Sequence, residues 1–296
     1  MSGNEGYGGA GQTTRRAFLG GAATTGLAVL GTGTVAAGGK GDGGKSAPSD
    51  FPRVTTRGHF EENWYGGVDL TDGHTEYDYD LAGDFSGVFG GDELLVFCHG
   101  WLNDDQGGLD TCYTGVTNLE LLGYSSPGIG YLWDSDTGAL DWGDGTEIAE
   151  RNGPKLANFL ADLDSSYPET DVRLVAHSLG ARVVLRALEV LNGSEVGVES
   201  VSLLGGAADN DAVSTEGRYG ADIESVATRC DNFWKSDDGV LNNLYTTAEW
   251  DSAVGEEGCE GPAPANYTDV NVDYVPDHYS YYYEDDGCLP AVYSRF

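Results

Sequence analysis

The chain has 296 residues, enough for one large domain with a substantial core. Its 49 acidic residues outnumber 15 basic ones, so the formal net charge is −34, and the acidic residues are spread along the sequence. This charge repels phosphate backbones and excludes nucleic acid as a partner. It is typical of proteins from salt-loving organisms, where ions screen the repulsion. An ordinary acidic secreted protein is the alternative.

The first 37 residues have the pattern of an export signal. Arg15 and Arg16 precede a weakly apolar run rich in Gly, Ala and Thr, which closes on small residues at Val35–Ala37. We therefore expect export by the twin-arginine route and a secreted, extracellular protein. A retained membrane anchor is the alternative, but glycines break the run, and it is shorter than the ~20 apolar residues that a span needs. We predict no stable membrane span after processing.

Residues 38–50 are predicted to form a flexible, Gly-rich linker. Within them, Gly39–Ser46 matches the G-x-x-x-x-G-K-S pattern of a phosphate-binding loop. That loop requires a buried strand before it and a helix that starts at the lysine, whereas prolines follow here. We exclude nucleotide binding and predict no organic cofactor.

Residues 51–296 are predicted to form one α/β domain. Two loosely alternating stretches, 51–64 and 74–83, indicate exposed early strands, and Gly153-Pro154 is expected to kink or restart the second helix. Buried strands are predicted within 93–104, 128–134, 171–178, 198–208 and 230–238, and helices over 106–122, 144–168 and 181–191. This alternation predicts a mainly parallel sheet with helices on both faces.

The stretch LVAHSLGARV (174–183) places Ser178 between a predicted strand and a predicted helix. A nucleophile elbow needs small residues two positions either side of its serine; Gly180 meets this requirement and Ala176 nearly does. The turn also places the backbone N–H of Leu179 at the positive end of the following helix, where an oxyanion can bind. A helix N-cap serine is the alternative.

A serine nucleophile needs a base, and the chain has few histidines to supply it. His177 is interpreted as structural because it adjoins the serine, and His99 ends a predicted strand. His59 and His74 are expected on the surface. His278 is the only histidine after the serine and is the predicted base.

Four motifs in this order, HGW (99–101), AHSLG (176–180), SDDGVL (236–241) and DHYSYY (277–282), resemble the α/β-hydrolase fold of esterases and lipases. With the acidic composition and the export signal, the chain looks like a secreted member of haloarchaeal type. The resemblance implies that Ser178 attacks an ester carbonyl and that His278 serves as general base and then acid. It also implies an oxyanion hole from the N–H groups of Trp101 and Leu179.

The residue that orients His278 is one of three aspartates. Asp238 follows a predicted strand in the pattern that the family uses for its acid, and it is the first choice. Its neighbour Asp237 and Asp209, at the end of the preceding strand, are the alternatives.

Five cysteines in an exported chain permit disulfides, although an odd number leaves one unpaired. Cys98 is expected to be a buried thiol, and a loop staple is predicted among Cys230, Cys259 and Cys288. No cysteine or histidine spacing indicates a metal site. Trp133 and the tyrosines of 279–283 are expected to pack the core or the wall of the substrate pocket.

The predicted function is hydrolysis of small-molecule or lipid carboxylic esters. An amidase, peptidase or acyltransferase that uses the same triad is one alternative. A binding protein on this fold, without catalysis, is the other.

Overall fold

A central eight-stranded sheet organises the computed structural model. The model describes residues 44–296 apart from Tyr65, Ala139 and Trp250 and the side chains of Leu244, Thr246 and Thr247. The predicted export signal and residues 38–43 of the predicted linker lie outside the described residues. The strands are β1 Arg53–Thr55, β2 Phe60–Glu62, β3 Val68–Leu70, β4 Asp80–Ala82, β5 Glu93–Cys98, β6 Gly128–Leu132, β7 Asp171–His177, β8 Val198–Leu204, β9 Ala227–Trp234 and β10 Tyr267–Asn271.

The strand order is β10-β9-β8-β7-β5-β6-β1-β4, and β2 pairs with β3 in a separate hairpin. Every neighbouring pair in the large sheet is parallel except β1 with β4, which is antiparallel at the edge. The predicted mainly parallel sheet is therefore confirmed. Because the strands run in one direction, the loops that follow β5, β7, β8 and β9 leave the sheet at the same end.

Seven α-helices and one π-helical turn, Leu241–Tyr245, are found in the described part of the chain. The α-helices are α1 Asp105–Leu121, α2 Trp142–Ser166, α3 Gly180–Leu191, α4 Gly220–Val226, α5 Thr246–Glu249, α6 Val254–Glu257 and α7 Leu289–Tyr293. Within these residues no helix is both long enough and apolar enough to cross a bilayer.

Helices cover both faces of the sheet, as predicted. On β5 the Phe97 ring contacts Gly115 of α1, while the next residue, Cys98, contacts Gly180 of α3. Successive strand residues point to opposite faces, so α1 and α3 lie on opposite sides. The sequences of β5 and β7 are nearly continuous apolar runs because both faces of these strands are buried.

Two local predictions about the elements differ from the structure. β1 was expected to be exposed, yet it lies inside the sheet between β6 and β4, and Val54 is fully buried. Of the two outcomes expected at Gly153-Pro154, a kink or a restart, the restart is not found, because α2 continues through both residues. A side chain at Gly153 would lie 2.3 Å from Arg186 Cγ, so the glycine lets α2 pack closely on α3.

The end of the predicted flexible linker is bound to the domain. The Lys45 ammonium donates to Asn118 Oδ1 over 2.6 Å, and the Ala47 N–H donates to Asp110 Oδ1 over 2.8 Å. Residues 44–47 thus differ from the flexible linker expected over 38–50, because α1 supplies partners for their polar groups.

The predicted disulfide staple is wrong. All five cysteines are free thiols, and only Cys259 is partly exposed. Cys230 and Cys288 are fully buried, and burial raises the pKa of both thiols. They therefore pack as small apolar side chains, as was expected only of Cys98.

Candidate active site

Ser178 occupies a sharp turn between β7 and α3. Its φ is 54°, in the left-handed region that residues other than glycine rarely adopt. The end of β8 and the residues after it hold the turn, because the Ser178 N–H donates to Leu204 O and the Ser178 carbonyl accepts from Ala207 N, each over 3.0 Å. A side chain at Gly180 would come within 2.6 Å of His99 O, so only glycine lets α3 start this close to β5. These are the features of a nucleophile elbow.

Three side chains form one hydrogen-bonded row at this end of the sheet. The Ser178 Oγ and His278 Nε2 are 2.9 Å apart, and His278 Nδ1 lies 2.7 Å from Asp238 Oδ2. An ionised carboxylate only accepts, so the imidazole proton lies on Nδ1 and leaves Nε2 free to accept from the serine hydroxyl. Ser178 is 9% exposed, His278 3% and Asp238 0%.

Asp238 is ionised in spite of its burial. Burial alone would raise its pKa, but the neighbouring His278 and the N–H groups of Leu241 and Val240 outweigh that effect and lower the pKa. Those two N–H groups donate to Oδ1 over 3.2 and 3.1 Å. The hydroxyl of Tyr281 adds a hydrogen bond of 3.3 Å to Oδ2. A charged carboxylate with donors on both oxygens is a rigid partner for the imidazole.

The other two aspartates that the sequence left open lie elsewhere. Asp237 is 75% exposed and pairs with the ammonium of Lys235. Asp209 accepts a hydrogen bond from the Tyr245 hydroxyl. Of the three candidates, the structure brings Asp238 to His278.

His177 and the tyrosine-rich segment hold the His278 loop. The His177 Nε2–H donates to the carbonyl oxygen of His278 over 2.7 Å, and the two rings are 4.8 Å apart. Burial and the nearby His278 lower the pKa of His177 to about 3, so its ring is neutral. The residues Tyr281, Tyr282 and Tyr283 are buried and belong to the core, as expected for packing. The hydrogen bonds from His177 and Tyr281 had no signal in the sequence.

Leu179 and Trp101, whose backbone N–H groups were expected to bind an oxyanion, lie on the two turns that meet at the serine. Leu179 directly precedes α3, so its N–H lies at the positive helix end. The turn after β5 also lies against the serine, since a side chain at Gly100 would be 2.8 Å from Ser178 Cβ. Within the described residues, neither the Leu179 nor the Trp101 N–H donates a hydrogen bond to another protein group. Both donors are therefore unpaired among the described residues.

His99 is buried beneath that turn and was not assigned a role from the sequence. Burial, together with the charge of Arg57, lowers its pKa to about 3. Trp133, expected in the core or the pocket wall, is fully buried with its ring stacked on His99.

In the part of the chain that the structure describes, one other cluster combines histidines and carboxylates, next to the β2–β3 hairpin. His59, expected on the surface, is 1% exposed, and the ligand atoms of His59, His74 and Asp78 lie within 4.8 Å of one another. These three residue types could hold a metal ion. The buried ammonium of Lys155 supplies a positive charge there instead, since Nζ is 3.1 Å from His59 Nδ1 and 2.8 Å from Asp78 Oδ1.

Comparisons with known proteins address the fold. The catalytic core domain of acetyl xylan esterase from Trichoderma reesei aligns with 68% of this chain and 89% of its own, with 12% identity and a TM-score of 0.38. A cutinase-like protein from Cryptococcus sp. aligns with 68% of this chain and 86% of its own, with 16% identity and a TM-score of 0.34. No curated protein matches the sequence. The model of the alpha/beta hydrolase family matches residues 95–296, and the chain belongs to that family.

Proposed function

We propose that this protein is a secreted serine hydrolase that cleaves carboxylic esters. The observation that carries the proposal is the continuous row from Ser178 Oγ through His278 to Asp238, with hydrogen-bond distances of 2.9 and 2.7 Å. The row combines a nucleophile, an imidazole whose Nε2 faces the hydroxyl, and a buried carboxylate that holds the ring in one tautomer.

In the proposed reaction His278 Nε2 takes the hydroxyl proton as Ser178 Oγ attacks the ester carbonyl carbon. The carbonyl π electrons move to oxygen, and the resulting oxyanion is bound by the N–H groups of Leu179 and Trp101. Collapse of this intermediate breaks the carbon–oxygen bond to the alcohol, which receives the proton from His278. Water then releases the acid from the acyl-enzyme by the same steps. Asp238 stabilises the imidazolium that forms in each half-reaction.

Export and activity in concentrated salt are part of the proposal. Export rests on the paired arginines and small-residue close of the first 37 residues, and salt tolerance rests on the formal charge of −34. The arrangement of lysines supports the second point: Lys155 and Lys235 are buried and paired, so neither contributes to the exposed surface. A surface rich in carboxylates gains stability when salt screens their repulsion.

The experiment is covalent labelling with a fluorophosphonate, together with hydrolysis of short- and long-chain p-nitrophenyl esters, both in concentrated salt. We expect one labelled site in the wild type and a loss of at least about 10⁴-fold in ester hydrolysis in Ser178→Ala. The matched control is Ser200→Ala, because Ser200 is also buried but lies on β8, where it is hydrogen-bonded to Arg173.

Three outcomes would contradict the proposal in different ways. An unlabelled wild type would favour a binding protein on this fold. Labelling of Ser178 with turnover of anilides but not of esters would favour an amidase or peptidase. Full activity and cooperative unfolding in dilute buffer would refute the adaptation to salt.

A further inference from the structure

The peptide unit between Gly100 and Trp101 is held by two side-chain donors. Its carbonyl oxygen accepts two hydrogen bonds, from His99 Nδ1 over 2.8 Å and from Asn103 Nδ2 over 3.0 Å. In a trans peptide the C=O and N–H point in opposite directions. Two donors on Gly100 O therefore fix the direction of the Trp101 N–H on the other side of the plane.

The hydrogen-bond pattern around His99 leaves its ring one tautomer. The Trp133 backbone N–H donates to His99 Nε2 over 3.2 Å, so that nitrogen accepts and carries no proton. The proton lies on Nδ1 and is donated to Gly100 O. The indole of Trp133 also donates to the carbonyl of His99 over 2.9 Å and stacks on its ring. The ring is neutral because burial lowers its pKa to about 3, and it cannot rotate away.

Asn103 closes the same turn from its other end. Its Nδ2 donates to Trp101 O over 3.1 Å as well as to Gly100 O, so one amide group spans two successive peptides. Leu102, which lies between Trp101 and Asn103, has a φ of 59°. This left-handed conformation needs support in a residue with a side chain. The Leu102 N–H supplies part of that support by donating to Ser135 O over 2.7 Å.

We infer that His99 and Asn103 are positioning residues for the oxyanion donor: by clamping the carbonyl of Gly100 they aim the Trp101 N–H at the acyl oxygen of a substrate on Ser178. The turn is close enough for this, since a side chain at Gly100 would lie 2.8 Å from Ser178 Cβ. The inference rests on the proposed function.

A positioned donor acts mainly on the transition state. Negative charge develops on the acyl oxygen during attack, so the hydrogen bond from a donor aimed there becomes stronger as the reaction proceeds. The donor does not have to move to form it. If the Trp101 N–H no longer points at the acyl oxygen, kcat should fall and KM should stay nearly unchanged. It should also weaken binding of a trifluoromethyl ketone, which forms a tetrahedral oxyanion on the serine, by the same factor.

The experiment compares Asn103→Ala with Asn266→Ala. Asn266 is a matched control because its Nδ2 also bridges two backbone carbonyls, Ile223 O and Ala227 O, away from the serine. We expect kcat to fall about 10- to 100-fold in Asn103→Ala, somewhat less than the loss of a whole oxyanion donor, and by no more than about 2-fold in Asn266→Ala. The trifluoromethyl ketone inhibition constant should rise in proportion to the loss in kcat/KM.

Two further variants keep the test valid if Asn103→Ala folds poorly. Asn103→Asp preserves the shape but removes the donor, so it should lose at least as much kcat as Asn103→Ala. His99→Asn keeps an N–H donor at the position of Nδ1 and should retain more activity than His99→Leu.

A loss confined to KM, or equal losses in Asn103→Ala and Asn266→Ala, would overturn the inference while Ser178-dependent hydrolysis by the wild type still upheld the proposed function. A wild type that neither hydrolyses esters nor reacts with a fluorophosphonate would overturn both.

Discussion

Among the described residues, two buried histidines each link a carboxylate to a third polar group. At the carboxyl ends of the strands, His278 joins Asp238 to the hydroxyl of Ser178. Next to the β2–β3 hairpin, His59 joins Asp80, at 3.2 Å, to the ammonium of Lys155, at 3.1 Å. The two histidines are similarly buried, although Asp80 is 68% exposed whereas Asp238 is fully buried. We propose catalysis only for the row that contains Ser178.

The third partner makes the difference. Lys155 Nζ is bonded to His59, to the Asp78 carboxylate and to the carbonyls of Thr75 and Asp78, so the ammonium has no capacity left for a ligand. Ser178 instead sits at a left-handed turn with two unpartnered N–H groups beside it among the described residues. An imidazole–carboxylate pair thus supports chemistry only where its third partner can form a new bond and the product charge can be bound.

The largest expected effect is on catalysis, from removal of the charge that orients His278. Asp238→Asn should lower kcat by about 10³- to 10⁴-fold, because the amide no longer stabilises the imidazolium or selects the productive tautomer. Steady-state hydrolysis of a p-nitrophenyl ester measures the effect. The same change at Asp80, Asp237 or Asp209 should alter kcat by no more than about 2-fold; a comparable loss in any of these would reassign the acid.

The second expected effect is on stability, in the other histidine cluster. Lys155→Met removes a fully buried ammonium and leaves Asp78 without its counter-charge, which should lower the free energy of unfolding by about 3 kcal/mol. Chemical denaturation in concentrated salt measures the loss.

The matched comparison for that variant is Lys235→Met. Lys235 is also buried, but its partner Asp237 is 75% exposed and stays hydrated, so the loss should be about 1 kcal/mol or less. In both variants the rate at which a fluorophosphonate labels Ser178, per folded molecule, should match that of the wild type. Equal stability losses would mean that the His59 cluster contributes no more than a surface pair.

The smallest expected effect, when it is expressed per pH unit, is a pH dependence of stability that comes from His99 and His177. Both have a folded-state pKa of about 3, below the ordinary value of 6.5. As the pH falls from about 6.5 towards 3 the unfolded chain binds protons that the folded chain does not, so the free energy of unfolding decreases, by about 1 kcal/mol per pH unit for each group. Denaturation at several pH values in constant salt measures the slope.

His177→Gln isolates one of these two groups, because glutamine keeps an N–H donor for His278 O but does not titrate. The slope between pH 6.5 and 4.5 should become shallower in this variant than in the wild type. An unchanged slope would show that His177 is not the titrating group.

Much of the site could be read from short stretches of sequence. The strand–turn–helix around Ser178 is a local feature, because the elbow depends on the small residues beside the serine. The small number of histidines left His278 as the only candidate base after it. Continuous apolar runs marked β5 and β7, since both faces of a central parallel strand are buried.

Contacts between distant segments decided the rest. Asp237 and Asp238 are adjacent and chemically identical, and only the path of the chain after β9 determines which one meets His278. The same holds for the burial of His59, the free thiols of Cys230 and Cys288, and the two donors on Gly100 O. Local patterns determined the elements and the reactive turn because backbone preferences act over a few residues, whereas hydrogen-bond partners were chosen by packing, which joins residues far apart in the chain.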